Sequence, residues 1–240
     1  MRAALPLLYR SLLLGIALAG SGACTPGIDP RTDSNPLAAA KPSLMLSGTG
    51  FFINSDGYML TAAHVVEGCG NLYITKDGRT LRPKLVALSR PSDLAILKID
   101  ETLGLPAAFV RSTQIAANDL VLAASHAMLQ EVRRGGASVL SNAVVVANVD
   151  SGAGISLVSN ASEGTSGAPV INSRGLVVGV VTQRTDRAHV RATSSQSAKT
   201  FLSANNVAFE QDDQSQLGAL QDRAARAATV SVGVVCFKGA

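Results

Sequence analysis

The strongest constraint on the fold of this chain is a series of short apolar and β-branched segments with turns between them. Turn-forming residues that include Gly separate several segments, as at residues 54–57, 77–78 and 172–175. No long stretch of helical periodicity interrupts the series. Many short strands at close spacing favour an all-β barrel or sandwich. Strands are predicted at residues 48–53, 58–62, 72–75, 81–88, 94–99, 120–124, 143–149, 155–159, 168–171 and 176–183.

The composition fits a β-rich core that has few large aromatic side chains. Of the 240 residues, 47% are hydrophobic, which is enough for a sizeable core in one large domain or two small lobes. Aromatic residues make up only 4%, and there is no Trp. The core must therefore be built mainly from Val, Leu, Ile and Ala.

The charge balance gives no indication of a nucleic-acid partner. The formal net charge is +4, and Arg2 and Arg10 lie in an N-terminal segment that has no acidic residue. The rest of the chain has no clustered basic stripe of the kind that binds nucleic acid. We therefore predict no nucleic-acid partner, and no binding to acidic lipid through basic residues.

A tight turn at residues 163–169, Glu-Gly-Thr-Ser-Gly-Ala-Pro, places a serine between glycines. Such a turn exposes the Ser166 hydroxyl and leaves the N–H groups of Gly164 and Ser166 free to converge beside it. Gly164 can adopt positive φ without steric cost, which turns its N–H toward the place where a carbonyl oxygen becomes negative during attack. Turns of small residues are also common in ordinary loops. A nucleophile with an oxyanion hole and a plain turn are both compatible with this segment alone.

Two residues upstream can complete a catalytic serine site. His64 follows an apolar run, and Asp93 stands at the start of a strand-like alternation. An imidazole titrates near neutrality and can take the proton of a serine hydroxyl, while a carboxylate can orient the ring. The order His, Asp, Ser is one of the known orders of this triad. Taken singly, each residue is equally compatible with a core histidine or a solvated acid at a strand end.

Five motifs stand in a fixed order along the chain: GTGFFI at 48–53, TAAHVV at 61–66, SDLAILKI at 92–99, GTSGAPV at 164–170 and GLVVGV at 175–180. Together they resemble the trypsin-like serine proteases of the bacterial HtrA/Deg type, and the similarity runs over residues 47–207. The resemblance implies an all-β fold of two six-stranded antiparallel barrels of the chymotrypsin/trypsin type, followed by short C-terminal helices. It also implies that the active site lies in the cleft between the barrels.

The resemblance implies a role for each residue that matches a family motif. His64 is the general base, Asp93 the acid that orients it and Ser166 the nucleophile, while the amides of Gly164 and Ser166 form the oxyanion hole. The residues that would bind substrate are Asn160, near the base of the pocket, with Thr182 and Gln183 on the strand that resembles the substrate-binding strand.

The chain departs from the family pattern in four places. Thr165 replaces an Asn or Asp, so activation by an ion pair with a freed N-terminus has no acid partner. Ala168 replaces a glycine, which requires that the backbone there is not left-handed. Residues 124–127, Ala-Ser-His-Ala, replace a usual Gly-Pro, which leaves the shape of that loop open. We also expect no PDZ domain.

The remaining histidines, His126 and His189, lack partners at metal-binding spacing, so we predict no metal site and no cofactor. His189 belongs to a basic segment, residues 184–191, that follows the predicted substrate-binding strand. Such a segment either favours an acidic residue in the substrate or is a solvated loop, and the solvated loop is the commoner case.

The N-terminal residues predict an exported protein. Residues 1–23 have the pattern of a signal peptide, with a short apolar core followed by small residues. Residues 21–24, Ser-Gly-Ala-Cys, resemble a lipobox, which predicts a lipid on Cys24 that attaches the protein to a membrane. Cleavage without lipidation is the alternative. Residues 24–42 are rich in Pro and predict an extended tether. We expect a periplasmic protein or one lipid-anchored to the bacterial envelope, with secretion as a further outcome.

The C-terminal residues 208–240 extend beyond the predicted protease domain, residues 43–207. Helices are predicted at residues 197–205 and 217–228, the second because it is rich in good helix formers. An alternating pattern at residues 229–237 predicts an added strand.

Two cysteines remain if Cys24 carries a lipid. In an oxidising compartment Cys69 and Cys236 then predict a disulfide between the loop after His64 and the C-terminal strand. Two free thiols are the alternative, because a sequence does not show whether two residues meet.

These observations favour an exported serine endopeptidase that cleaves envelope proteins through an acyl-enzyme, with protein or peptide substrates. One alternative is a catalytically weak binding or chaperone-like module on the same fold. Another is an esterase, although residues 164–168 lead into a strand and not into the helix that follows the nucleophile of α/β-hydrolases. We expect a monomer.

Overall fold

The structure is a computed structural model that describes residues 44–112, 115–134, 142–149, 154–159 and 163–239. The predicted leader and tether, Cys24 and Asn160 lie outside the described residues. The elements in chain order are β1 (Leu44–Phe52), β2 (Tyr58–Ala62), α1 (Ala63–Val66), β3 (Asn71–Lys76), β4 (Arg79–Leu81), β5 (Lys84–Ser89), β6 (Leu94–Lys98), β7 (Ala108–Val110), β8 (Leu120–Leu122), α2 (His126–Arg133), β9 (Asn142–Val149), β10 (Gly154–Val158), β11 (Pro169–Ile171), β12 (Val177–Arg184), β13 (His189–Ser194), α3 (Ser195–Ala204), β14 (Glu210–Asp212), α4 (Arg223–Val230) and β15 (Ser231–Lys238).

The first sheet is antiparallel and runs in the order β4-β3-β15-β1-β2-β6-β5. The C-terminal strand β15 lies between β1 and β3, with Gly48 opposite Val234 on one side and Ile74 opposite Val234 on the other. The last strand of the chain is therefore an interior strand of the sheet that also contains the first described strand.

The second sheet contains a closed ring of six antiparallel strands. The order is β11-β8-β9-β10-β13-β12, and β12 pairs again with β11. Strands β7 and β14 extend this sheet beyond β12 by parallel pairing. The predicted all-β fold with two antiparallel barrels of the chymotrypsin type is confirmed. Within the described residues, β15 brings the first sheet to seven strands.

The buried apolar side chains form three groups, one inside each barrel and one between the barrels. One fills the first barrel, with Phe52 and Met59 among its members, and another fills the second, with Leu157 and Val170. The third lies between the barrels and includes Phe51 of β1 and Phe109 of β7, whose rings meet edge to face with centroids 6.3 Å apart. A cleft between the barrels therefore stands on a rigid, buried interface.

Some element boundaries differ from the prediction for local reasons. The strand predicted at residues 81–88 is two strands, β4 and β5, because Pro83 lies between them and cannot donate to a ladder. The helix predicted at residues 217–228 begins only after Asp222, whose side chain accepts a hydrogen bond from the N–H of Ala225 and caps α4.

The basic segment 184–191 is partly strand, not only a solvated loop. β13 starts at His189 and pairs with β10 and β12. Asp186 accepts hydrogen bonds from the backbone N–H groups of Ala188 and His189 and closes the turn between the strands.

The structure joins Cys69 and Cys236 in a disulfide, with their Cα atoms 5.6 Å apart. The bond links the segment after α1 to β15, across a sequence separation of 167 residues. Within the part of the chain that is described, no helix is long and apolar enough to span a membrane.

Candidate active site

The histidine of the site is held by the carboxylate of Asp93. His64 lies in α1, directly after β2, and its Nδ1 is 2.7 Å from Oδ2 of Asp93. The backbone N–H of His64 donates to the other carboxylate oxygen at 2.9 Å. Because a carboxylate only accepts, Nδ1 carries the ring proton, and Nε2 keeps a lone pair that can accept one. The pair has the form of a general base with its orienting acid.

Asp93 itself has a left-handed backbone, with φ of 49°. Its carbonyl accepts a hydrogen bond from the N–H of Ala63 at 3.0 Å, and its N–H donates to the carbonyl of Arg90 at 3.2 Å. Asp tolerates this conformation better than most residues, although it still costs energy. The local fold therefore fixes the carboxylate against α1 at the expense of backbone strain.

Ser166 lies in a loop, residues 163–168, that we call the serine loop. Gly164 and Gly167 have φ of 81° and 86°, the region that glycine enters without steric cost. Ala168 is not among the residues with positive φ, so the alanine that replaces the family glycine fits without strain. The N–H of Gly167 donates to Val181 at 2.7 Å, which ties the loop to β12.

The two amides assigned to the oxyanion hole are free to bind a ligand. Within the described residues, the N–H groups of Gly164 and Ser166 donate no hydrogen bond to protein. No hydrogen bond joins His64 to Ser166 either, among these residues. Such bonds are often long before substrate binds and tighten in the reacting complex.

A cleft of about 630 Å³ brings the predicted residues together. Its first-barrel wall carries His64 and Asp93, and the opposite wall carries Ser166 with the end of β12. The side chain of Thr193 donates to the carbonyl of Ser92 at 2.7 Å and joins the two walls. The residues that line the cleft are His64, Pro91, Ser92, Asp93, Gly154, Ser166, Thr182, Gln183, Arg184, Arg191, Ala192 and Thr193.

A second, smaller cavity of about 320 Å³ lies against the serine loop. Val181 and Val190 contribute apolar surface, while Glu163 and Arg184 contribute charge. Arg184 lines both this cavity and the larger cleft. The expected pocket residue Asn160 lies outside the described residues, so its role remains a prediction.

The end of β12 has an open edge toward the cleft. On the side of β12 that faces β11, strand pairing ends at Val180. The bond from the N–H of Gly167 in the serine loop extends this side only as far as the carbonyl of Val181. Beyond that point, residues 182–184 pair only with β13 among the described strands. An extended peptide can add to such an edge by main-chain hydrogen bonds. Thr182 and Gln183, the predicted substrate-binding residues, lie on this edge, and their role remains a prediction.

The other two histidines make contacts that belong to the fold. The Nδ1 of His189 is 2.8 Å from Asp186 Oδ2, and hydrogen bonds from the Ala188 N–H and from His189 lower the pKa of that carboxyl. His126 is buried at the start of α2, and burial lowers its pKa to about 4. Among the described residues, no group of three His, Cys, Asp or Glu side chains is arranged to hold a metal.

Sequence reasoning missed Thr49 of β1, which contacts the serine loop. The Thr49 hydroxyl donates to the carbonyl of Gly164 at 2.7 Å, and its N–H donates to the carbonyl of Ser166 at 2.8 Å. The residues lie 115 positions apart for the first bond, so no local pattern could have shown it. The only signal was that Thr49 stands inside the GTGFFI motif.

Comparison with known proteins agrees with this geometry. Residues 48–180 match the model of the trypsin-like peptidase domain. A protein of Chlamydia trachomatis named as a probable periplasmic serine endoprotease, DegP-like, is 33% identical over 137 residues, which is 56% of this chain and 28% of that protein. A protein of the same description from Bartonella henselae is 30% identical over 184 residues, which is 66% of this chain and 36% of that protein.

A longer match has no assigned activity. An uncharacterized protein of Sinorhizobium fredii is 27% identical over 217 residues, which covers 85% of this chain and 34% of that protein. The chain thus spans about a third of the length of the curated relatives it matches.

Proposed function

Because the chain belongs to the trypsin-like peptidase family and is of the HtrA type, we propose that it is an exported serine endopeptidase that cleaves envelope proteins through an acyl-enzyme. The observation that carries this proposal is the His64–Asp93 pair at 2.7 Å, which faces Ser166 across one cleft. A protein on the same fold that only bound its partners would not need this arrangement.

The proposed reaction has two halves, acylation of Ser166 and hydrolysis of the acyl-enzyme. Oγ of Ser166 bonds to the carbonyl carbon of the peptide while its proton passes to Nε2 of His64. The oxygen of the tetrahedral intermediate takes the negative charge and accepts hydrogen bonds from the amides of Gly164 and Ser166. The C–N bond then breaks as the same proton passes to the leaving nitrogen. Water then attacks the acyl carbon while one of its protons passes to Nε2 of His64, and the C–Oγ bond breaks as that proton returns to Oγ of Ser166, which releases the carboxylic acid.

The test is labelling of the purified protein with a fluorophosphonate, beside Ser166→Ala and His64→Ala variants. We expect labelling of the wild type and loss of labelling in both variants. Labelling that survives Ser166→Ala would show that another residue is the nucleophile. A wild-type protein that is folded but unlabelled would favour the binding or chaperone-like module. Comparison of peptide with ester substrates then distinguishes an endopeptidase from an esterase.

We propose further that the cleft prefers substrates with an acidic side chain near the cleaved bond. Arg184 and Arg191 line the cleft, and neither forms an ion pair within the described residues. The carboxylate of Asp93 is hydrogen-bonded to His64 and, among the described residues, forms no ion pair with either arginine. A carboxylate on the substrate would pair with either guanidinium.

The matched variants are Arg184→Glu, Arg191→Glu and Arg187→Glu, the last being in the same segment but not in the cleft lining. We expect the first two to lower kcat/KM for acidic peptides about 5-fold relative to neutral peptides, the scale of exposed charge pairs. Arg187→Glu should leave the ratio unchanged. An unchanged ratio in all three variants would refute the preference.

An exported location is proposed on two grounds. The disulfide between Cys69 and Cys236 requires an oxidising compartment, and the DegP-like relatives are named as periplasmic. The finer proposal is that a lipid on Cys24 anchors the chain to the envelope. Metabolic labelling with palmitate tests it: label is expected in the wild type and absent from Cys24→Ser, and an unlabelled wild type would exclude the anchor.

A further inference from the structure

The oxyanion amides of the serine loop depend on the orientation of three successive peptide groups, and all three are held by hydrogen bonds. The carbonyl of Gly164 accepts from the Thr49 hydroxyl at 2.7 Å, and the carbonyl of Thr165 accepts from the N–H of Ala168 at 2.9 Å. The carbonyl of Ser166 accepts from the N–H of Thr49 at 2.8 Å. Thr49 therefore supplies two of the three bonds, one from its side chain and one from its backbone.

These bonds fix the direction of the Ser166 N–H because each peptide group is planar. The N–H of Ser166 lies in the same peptide plane as the carbonyl of Thr165. The neighbouring planes contain the carbonyls of Gly164 and Ser166, and Thr49 holds both of these carbonyls. The N–H of Gly164 belongs to the plane just before. The backbone dihedrals of Gly164, where φ is 81°, set the angle between that plane and the plane of the carbonyl that Thr49 holds.

The Thr49 hydroxyl is itself oriented by a third contact. Its oxygen accepts a hydrogen bond from the N–H of His126, the first residue of α2, at 2.9 Å. A hydroxyl has one proton to donate, and because the N–H of His126 occupies an acceptor site, that proton is directed to the carbonyl of Gly164. Thr49 is fully buried, so water does not compete for these groups.

This arrangement occurs where the sequence departs from the family pattern. Thr165 removes the acid partner through which a freed N-terminus could order the loop, and residues 124–127 replace a usual Gly-Pro. In the structure the second departure forms the start of α2, with Ser125 as its N-cap, and presents the N–H of His126 to Thr49.

We propose that Thr49 is a positioning residue for catalysis, which holds the serine loop in the conformation that stabilises the oxyanion without any activating cleavage of the chain. The inference rests on the proposed peptidase function. The Thr49 side chain does not touch the substrate, and it acts through the backbone of Gly164.

The experiment compares Thr49→Val, which removes only the hydroxyl, with Thr49→Ser, which restores it. Thr61→Val is the matched control, because Thr61 is also fully buried and its hydroxyl donates to the carbonyl of Thr49, not to the serine loop. Each full-length variant is assayed for the rate of fluorophosphonate labelling, for kcat and KM on a peptide ester, for inhibition by a peptide aldehyde, and for its melting temperature.

Loss of one oxyanion donor lowers kcat by roughly 100- to 1,000-fold, and we expect Thr49→Val to lower kcat by roughly 10- to 100-fold because the donors remain but are less well placed. KM should change little, and the aldehyde, which resembles the tetrahedral intermediate, should bind more weakly by a similar factor. Thr49→Ser should recover most of the rate. Thr61→Val should lower the melting temperature without the loss of kcat.

The inference is refuted if Thr49→Val keeps the wild-type kcat, or if Thr61→Val loses as much. Should Thr49→Val fail to fold, Thr49→Ala is compared with Thr49→Ser in its place, with the same two expected results. A wild-type protein that neither labels nor hydrolyses any substrate would overturn the proposed function itself. Refutation of the inference alone requires an active wild type, so the activity of the wild type separates the two failures.

Discussion

At the scale of single residues, Gly167 is the position where the serine loop has least room. Its φ is 86°, and an added Cβ would lie 2.0 Å from the carbonyl oxygen of Thr49 and 2.8 Å from the N of Ala62. Gly78 offers a matched comparison, since its φ is 79° and nothing lies within 4 Å of an added Cβ.

We expect Gly167→Ala to abolish fluorophosphonate labelling and to lower the free energy of unfolding by about 3 kcal/mol or more, through overpacking and left-handed strain together. Gly78→Ala introduces only the left-handed backbone strain, so it should lower the free energy of unfolding by about 1 kcal/mol and leave the labelling intact. Chemical denaturation beside labelling checks both. Equal effects of the two substitutions would mean that the close approach at Gly167 is not rigid.

His126 predicts a pH dependence of stability. Burial, with smaller effects from Lys76 and Arg133 opposed by Asp77, lowers its pKa from 6.5 to about 4 in the folded protein. The unfolded chain therefore binds a proton that the folded chain does not between these pH values. The stability that neutral His126 contributes is fully present above pH 6.5 and is lost as the pH falls toward 4.

The comparison is with His126→Asn, which does not titrate. Between pH 6.5 and 4 the wild type should lose about 2 kcal/mol more unfolding free energy than the variant, on the scale of a shift of this size with partial burial. Denaturant titrations at four or five pH values give the difference. If the unfolding free energies of the two proteins change with pH in the same way, protonation of the His126 ring does not destabilise the folded protein.

At the scale of elements, the C-terminal end of α4 is capped by a lysine from another part of the chain. Nζ of Lys76, on β3, donates to the carbonyls of Ala228, Thr229 and Ser231 at 3.1, 2.7 and 2.7 Å. Burial lowers the pKa of Lys76 to about 8, so the amine is still largely charged at neutral pH. The positive charge faces the negative end of the helix.

Lys76→Met keeps the apolar stem and removes the three donors. We expect it to lower the free energy of unfolding by about 3 kcal/mol, because buried carbonyls lose their partners. Lys84→Met, at an exposed position on β5, is the control and should change stability by less than about 0.5 kcal/mol. Melting curves at pH 7 measure both. A Lys76→Met protein as stable as the control would show that water replaces the amine.

The comparison of predicted and observed elements has a physical explanation at this scale. Strands with an apolar run of their own, such as β2 and β6, were predicted to within one residue. The three-residue strands β7 and β14 were missed, because they owe their pairing to neighbours distant in sequence. β13 was missed because its basic residues suggested a solvated loop, although Val190, Ala192 and Thr193 are buried.

The same distinction holds for the site. His64, Asp93 and Ser166 were predicted because each stands in a motif that resembles a known family. Thr49 was not, because a hydroxyl that supports a loop 115 residues away has no local signature.

At the scale of the whole molecule, the strand β15 joins two other parts of the first sheet. β15 pairs with β1 from Leu44 to Phe51 and with β3 from Asn71 to Thr75. Its disulfide to Cys69 spans 167 residues, and the loop-entropy account gives a bridge of that length at most about 5 kcal/mol. The family match ends at residue 180, so β15 and Cys236 lie outside the part of the chain that the family describes.

We therefore expect a chain that ends at residue 207 not to fold, although it contains the whole predicted triad. Removing β15 exposes the facing edges of β1 and β3 and withdraws Val232, Val234 and Cys236, which are fully buried. At about 2 kcal/mol for each buried side chain, together with the bridge, the loss is comparable to the 5–15 kcal/mol that is typical of whole domains. Circular dichroism and denaturant unfolding of residues 40–207 against 40–240 test this.

The double variant Cys69→Ser, Cys236→Ser separates the strand from the bridge, because it keeps β15 in place. It should unfold cooperatively at lower denaturant than the parent protein and should still label with fluorophosphonate. A chain of residues 40–207 that unfolded as cooperatively as the double variant would show that β1 and β3 can pair with each other directly. In that case β15 would be an addition to a complete barrel, and the triad would assemble without it.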